Sequence, residues 1–171
     1  MASTGPAAAH SAGRAFGRSM AAAGHSTVPV GDDVTDFWYH DLHHRWREGP
    51  VAIAGLTSLR AAFCLEGLAG NVWMCPVYRG EHRLAPDGAW NHRLQGPDAV
   101  TASVALLAGR ADWWGAGLAR MVRRAAGGQM AHAKPLISAT APRPADAAEP
   151  LISWLIVPSH RSALRADRDL V

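Results

Sequence analysis

Leu151-Ile-Ser-Trp-Leu-Ile-Val157 constrains this chain more than any other segment. It is rich in β-branched and aromatic residues, too short for a typical helix, and it stops at Pro158, which cannot donate to a strand ladder. Its side chains are apolar on both alternating faces, so it predicts a strand in the middle of a sheet and not at an edge. Two further short apolar runs, Val51–Leu56 and Val72–Tyr78, predict companions for it in one sheet. Pro76 within the second argues for a bulge or an edge there.

Between those two runs, Leu59–Ala69 reads as a helix capped by Thr57 or Ser58 and ending at Gly67 and Gly70. A strand, a helix and a strand at this spacing is the length of a βαβ unit, whose crossover is right-handed and whose strands are parallel. Asp32 or Asp33 caps an earlier helix, in which Phe37, Leu42 and Trp46 supply apolar surface before Gly49-Pro50 stops it. Asp98 opens another at Ala99–Leu107. Asp112 opens a last one, where Trp114, Leu118, Met121, Val122 and Ala125 form a stripe. The fold class expected is therefore a small single α/β domain: a short mixed or parallel sheet with a βαβ unit, covered by helices. Its bounds are 31–158, with 139–150 a Pro/Ala loop or linker and 159–171 a polar tail. Residues 1–30, rich in Ala, Gly and Ser without amphipathic period, read as a flexible leader.

A length of 171 residues suits one domain, and 49% apolar composition argues against global disorder. The net charge is only +3, and Lys134 is the one lysine among 17 basic residues. That balance gives little footprint for nucleic acid, so none is expected as a partner. No apolar run approaches the roughly 18 residues of a membrane span. Cys64 and Cys75 lack metal-type spacing and read as small buried hydrophobes, with a disulfide between them as the alternative.

Four places carry candidate chemistry. On a regular helix Asp36, His40 and His44 follow one another at one-turn spacing, which can present a carboxylate and two imidazoles to a zinc-type ion. His82 or His92 would complete that site. The plainer alternative is a polar outer face whose imidazoles stack on Trp38 or Trp46. The corner Gly55, Thr57 and Ser58 offers backbone N–H groups and hydroxyls to an anion, or is an ordinary capping turn. The segment Arg79–Pro97 reads as a long loop that, with Tyr78 before it, places Arg79, His82 and His92 to line a ligand site, with Glu81/His82 or Asp87/His92 as acid–base pairs, or else is a solvated loop with local ion pairs. The Trp113-Trp114 helix, with Arg120, Arg123 and Arg124 off its stripe, fits either a membrane surface or packing on the sheet. No serine has a nucleophile-elbow setting, and Ser153 and Ser159 have no recognisable partner.

Residues Asp36–Leu68 and the Ser153-Trp-Leu-Ile-Val-Pro158 segment resemble a group of uncharacterised bacterial proteins carrying twin-arginine leaders. Gly13-Arg-Ala-Phe-Gly-Arg-Ser-Met-Ala-Ala-Ala-Gly24 stands where such a leader would, with Gly13-Arg14 in place of the arginine pair. The resemblance implies export and a small accessory role. The function expected is an accessory or binding protein for a protein partner or small ligand, without chemistry of its own, because seven tryptophans suit a recognition surface. The alternative is a metal-dependent enzyme centred on His40 and His44. A cytoplasmic location is expected, with periplasmic export as the alternative.

Overall fold

The computed structural model describes residues 6–85, 89–101, 107, 114–127 and 149–159. Four strands form one sheet: β1 (Ile53–Ser58), β2 (Met74–Leu84), β3 (Trp90–Gln95) and β4 (Leu151–Pro158). Their spatial order is β1-β4-β2-β3. The most apolar strand lies inside, between β1 and β2, as its two buried faces require.

Every pairing is antiparallel, which corrects the expected βαβ unit with a parallel pair. β1 and β2 do run in the same direction, since both oppose β4, but β4 has inserted between them. The segment after α4 therefore pairs with β4 instead of with β1. Nor is Arg79–Pro97 a long loop. β2 continues to Leu84 and turns back as β3, with Ala85 N–H donating to Ala89 O at 2.8 Å across the turn.

Helices cover both faces. On one, α4 (Leu59–Gly70) lies beside the segment formed by α2 (Thr35–Phe37), a π turn (Trp38–Leu42) and α3 (His43–Glu48). Trp38, Leu42, Trp46, Ala61, Leu65, Ile152, Trp154 and Ile156 make that core. Ser58 caps α4 as expected, its Oγ accepting from Ala61 N–H at 3.3 Å. On the other face, α1 (Pro6–Ala22), α5 (Asp98–Thr101) and α6 (Trp114–Gly127) pack over Val77, Tyr78, Leu155 and Val157. Leu118, Met121, Val122 and Ala125 of α6 are buried, so its apolar stripe packs inward. Residues 102–106 and 108–113, where most of the helix expected over Ala99–Leu107 and the Asp112 cap fall, lie outside the described residues. So do 139–148 of the expected linker and 160–171 of the tail.

α1 corrects the reading of residues 1–30 as a flexible leader. It buries Ala12, Ala15 and Phe16, and Met20 packs beside them. Gly115 of α6 has the Ala12 backbone where a Cβ would stand, so the two helices meet at the distance only a glycine permits. Alanine and glycine make this contact, and they leave little trace in a hydrophobic period. Cys64 is a second correction: α4 is covered on one side only, leaving Cys64 and Phe63 (72% exposed) outside. Both cysteines are free thiols.

A bulge in β2 decides what faces what. The register shifts between Pro76 and Tyr78, so Val77 has no partner on β4. One extra residue reverses the side-chain alternation that follows it. Met74 before the bulge belongs to the α4 side. After it, Tyr78 and His82 face α6, while Arg79 points to α4 and pairs with Glu66.

Candidate functional site

The parity set by that bulge assembles an uncharged polar cluster under the first turn of α6. Tyr78, Gly80 and His82 come from β2, Ser153 from β4 and His92 from β3. Gly80 stands opposite Ser153 and His82 opposite His92 in the strand register. Tyr78, His82 and Ser153 are all 0% exposed, and His92 is half-buried on the edge strand.

Three contacts of 2.7 Å join these side chains into one chain. Tyr78 OH meets Ser153 Oγ, Ser153 Oγ meets His82 Nε2, and His82 Nδ1 meets His92 Nδ1. Trp114 covers the imidazoles, its ring centroid 4.6 Å from His82 and 5.1 Å from His92, and Trp90 lies 4.9 Å from Trp114. Gly80 makes the convergence possible. A Cβ there would collide with Ser153 Oγ, Tyr78 OH and His82 Nε2 together.

Burial sets the protonation states. Desolvation, reinforced by the neighbouring His92, pushes His82 down to about 3, and desolvation also lowers His92. Desolvation raises Tyr78, against a smaller opposing effect of its bond to Ser153. At neutral pH the four groups are thus a phenol, a hydroxyl and two neutral imidazoles, each with one mobile proton.

Proton accounting then gives the chain a direction. Three arrangements fill all three contacts. In one, Tyr78 donates to Ser153, Ser153 to His82 Nε2, and His82 Nδ1–H to His92 Nδ1. The reverse order leaves the Tyr78 proton unmatched. A third, with Ser153 accepting from both neighbours, leaves the Ser153 proton unmatched. Neither hydroxyl has another partner among the described residues, and an orphaned buried donor costs about 1–3 kcal/mol. Only the first arrangement avoids that cost. It ends on His92 with the proton on Nε2, at the half-buried rim.

The indole N–H groups of Trp90 and Trp114 are buried and have no hydrogen-bond partner among the described residues. Native proteins seldom leave such donors unmet. Every polar hydrogen left over here, on His92, Trp90 and Trp114, belongs to a neutral N–H donor.

The other candidate residues lie elsewhere. Asp36, His40 and His44 are exposed, and the π turn between them inserts an extra residue, so one-turn spacing no longer keeps them on one face. Among the described residues no group of three or more His, Cys, Asp or Glu is placed to hold a metal. Gly55 gives its side-chain space to the Trp154 indole, Thr57 Oγ1 accepts from Trp154 Nε1 at 3.0 Å, and Ser58 caps α4. Arg79 Nη1 donates to both Glu66 carboxylate oxygens, at 2.5 and 2.7 Å, on the far face of the sheet. Glu81 binds Arg83 rather than His82, and Asp87 lies outside the described residues. Of the residues proposed from the sequence, His82 and His92 are brought together. Tyr78, named with them in the sequence, joins them through Ser153, whereas Gly80, Trp90, Trp114 and Ser153 were missed as their partners.

The described tryptophans are mostly core residues. Trp38, Trp46, Trp114 and Trp154 are buried and Trp90 is half-buried, so among the described tryptophans only Trp73 is exposed. Comparison with family models, curated proteins and solved structures finds no match for this chain.

Proposed function

We propose that this protein is a small-ligand-binding protein without chemistry of its own, whose ligand seats against His92, Trp90 and Trp114 on the α6 face of the sheet. The observation that carries this reading is the pair of unpartnered buried indole N–H groups beside the imidazole pair. Two buried donors with no acceptor among the described residues support an acceptor supplied by a bound group. The chain running from Tyr78 to His92 supports the same reading. It fixes both rings in one tautomer and presents a prepared donor at the rim. Preorganisation of this kind lowers the ordering cost of binding.

A nucleophilic role for Ser153 is disfavoured by its surroundings. Its Oγ is fully buried, held on two sides, and backed by Gly80, with no room for a substrate carbon. No observation favours the exposed His40/His44 cluster as a reaction centre.

The reading is tested by screening uncharged and charged fragments against the full chain, following the indole N–H resonances of Trp90 and Trp114. Compounds that bind should move both resonances, and His92→Ala should abolish binding while the chain stays folded, less stable by about 1–3 kcal/mol because the buried His82 Nδ1–H loses its acceptor. Binders that leave both indoles unmoved would sink the proposal.

A further inference from the structure

We propose that the outer face of α1 and α6 is a docking surface for an anionic lipid bilayer, attracted by arginine alone. This surface is separate from the ligand site proposed above and does not depend on it.

The ground is an uneven charge distribution that the net charge of +3 conceals. α1 carries Arg14 and Arg18, and α6 carries Arg120, Arg123 and Arg124, while neither helix has an Asp or Glu. Spacings of three and four residues set each group on one helix face. Those faces point away from the sheet, because Ala12, Ala15 and Phe16 of α1 and Leu118, Val122 and Ala125 of α6 are the buried ones. All five arginines are exposed, and among the described residues none has an ion-pair or hydrogen-bond partner. The contact of Gly115 with the Ala12 backbone sets the two helices side by side, so both groups belong to one layer.

The opposite side of the sheet is balanced. Asp36, Asp41 and Glu48 stand on the α2–α3 segment with Arg45 and Arg47, and Glu66 and Glu81 pair with Arg79 and Arg83. Of the described helices on the α6 side only α5 carries an acid, Asp98. Arg14/Arg18 and Arg120/Arg124 are like-charge pairs one turn apart, an arrangement that weakens a helix in water. Negative charge from outside the chain relieves it.

Charge calls for an anion, and the rest of the face says which kind. The exposed large hydrophobic residues among those described are Val28, Tyr39, Val51, Phe63 and Trp73, none of them on α1 or α6. A protein partner takes most of its affinity from apolar and aromatic anchors, and single-stranded nucleic acid stacks its bases on exposed rings. This face offers neither. α6 is buried along the sheet and flanked by α1, so no helix projects alone into a duplex groove. A fluid headgroup layer needs no shape match. It rewards positive charge roughly additively, by about fivefold in affinity for each arginine at the surface. With no apolar anchor, the protein rests on the headgroups and does not enter the hydrocarbon.

Sedimentation of the full chain with vesicles tests this. Phosphatidylcholine vesicles containing about one-third phosphatidylglycerol should bind at least about tenfold more tightly than phosphatidylcholine alone. That binding should vanish in about 0.5 M NaCl, where the Debye length is only about 4 Å. Arg120→Gln/Arg123→Gln/Arg124→Gln should weaken it on the order of a hundredfold, and Arg14→Gln/Arg18→Gln by about twenty-five-fold. Glutamine keeps the helices, so unfolding midpoints should hold. Arg47→Gln/Arg60→Gln removes the same charge as the α1 pair from exposed positions on the opposite side, and should change binding by less than about threefold. No binding to the anionic vesicles, equal binding to both kinds, or equal losses from the α1 and control pairs would overturn the proposal. So would tighter binding to a DNA duplex or to polyglutamate than to the vesicles at equal negative charge, which would give the face to another partner.

Discussion

Replacing Gly80 with alanine tests the polar chain at its tightest point. The added methyl would collide with Ser153 Oγ, Tyr78 OH and His82 Nε2, all on side chains that are 0% exposed. Two hydrogen bonds share Ser153 Oγ, so displacing it leaves buried polar groups unmatched at about 1–3 kcal/mol each. Overpacking a filled interior adds about 1–3 kcal/mol. A loss of at least about 3 kcal/mol follows, a large fraction of a typical domain's stability. Equilibrium unfolding in denaturant, read by tryptophan fluorescence, measures it. Gly67→Ala is the control, since Gly67 is exposed on α4 with nothing within 4 Å of its Cβ position. That change should be neutral or stabilising by up to about 1 kcal/mol. A loss below about 1 kcal/mol for Gly80→Ala would refute the packing of the cluster described above.

Three further outcomes are expected. Ser153→Ala should cost about 2–4 kcal/mol in the same assay, because it orphans both Tyr78 OH and His82 Nε2. Stability should also fall on acidification. His82 and His92 are depressed in the folded state, whereas unfolded histidine titrates near 6.5, so below that pH the unfolded chain binds more protons. The full benefit is present above about pH 7.5. It is lost as pH falls through 6.5 towards the folded value of about 3 for His82, with a slope of up to about 1.4 kcal/mol per pH unit for each group. Denaturation midpoints between pH 5 and 8 check this, and His92→Gln should flatten the slope. Deleting residues 1–22 removes the burial of Phe16, worth about 1.5–3 kcal/mol, and should lower the melting temperature by about 4–12 °C. An unchanged melting temperature would mean that α1 does not stabilise the fold.

The sequence announced elements better than their pairing. β4, its central place, the Ser58 cap and the Pro76 bulge follow from local chemistry, and each is present. The insertion of β4 between β1 and β2 is a long-range choice, and helix length between two strands does not distinguish a parallel neighbour from one displaced by a third strand. The β2–β3 hairpin did carry a signal. Arg79, Glu81 and Arg83 alternate with Tyr78, Gly80 and His82, a strand period disguised because two of the inward residues are a glycine and a histidine. The bond from Ser153 to His82 spans 71 positions and depends on the single residue of the bulge, so spacing could not have shown it. α1 escaped notice because its contact with Gly115 is made by Ala12 and not by a periodic row of large side chains.

The direction of the Tyr78-to-His92 chain is the central claim, because it leaves the site with donors alone. Nitrogen-15 chemical shifts of the histidine rings in the full chain at pH 7.5 read it directly. His82 should appear as the neutral tautomer protonated on Nδ1 and His92 as the neutral tautomer protonated on Nε2, with His82 unchanged down to about pH 6. His82 protonated on Nε2, or an imidazolium at either ring at pH 7.5, would contradict the account.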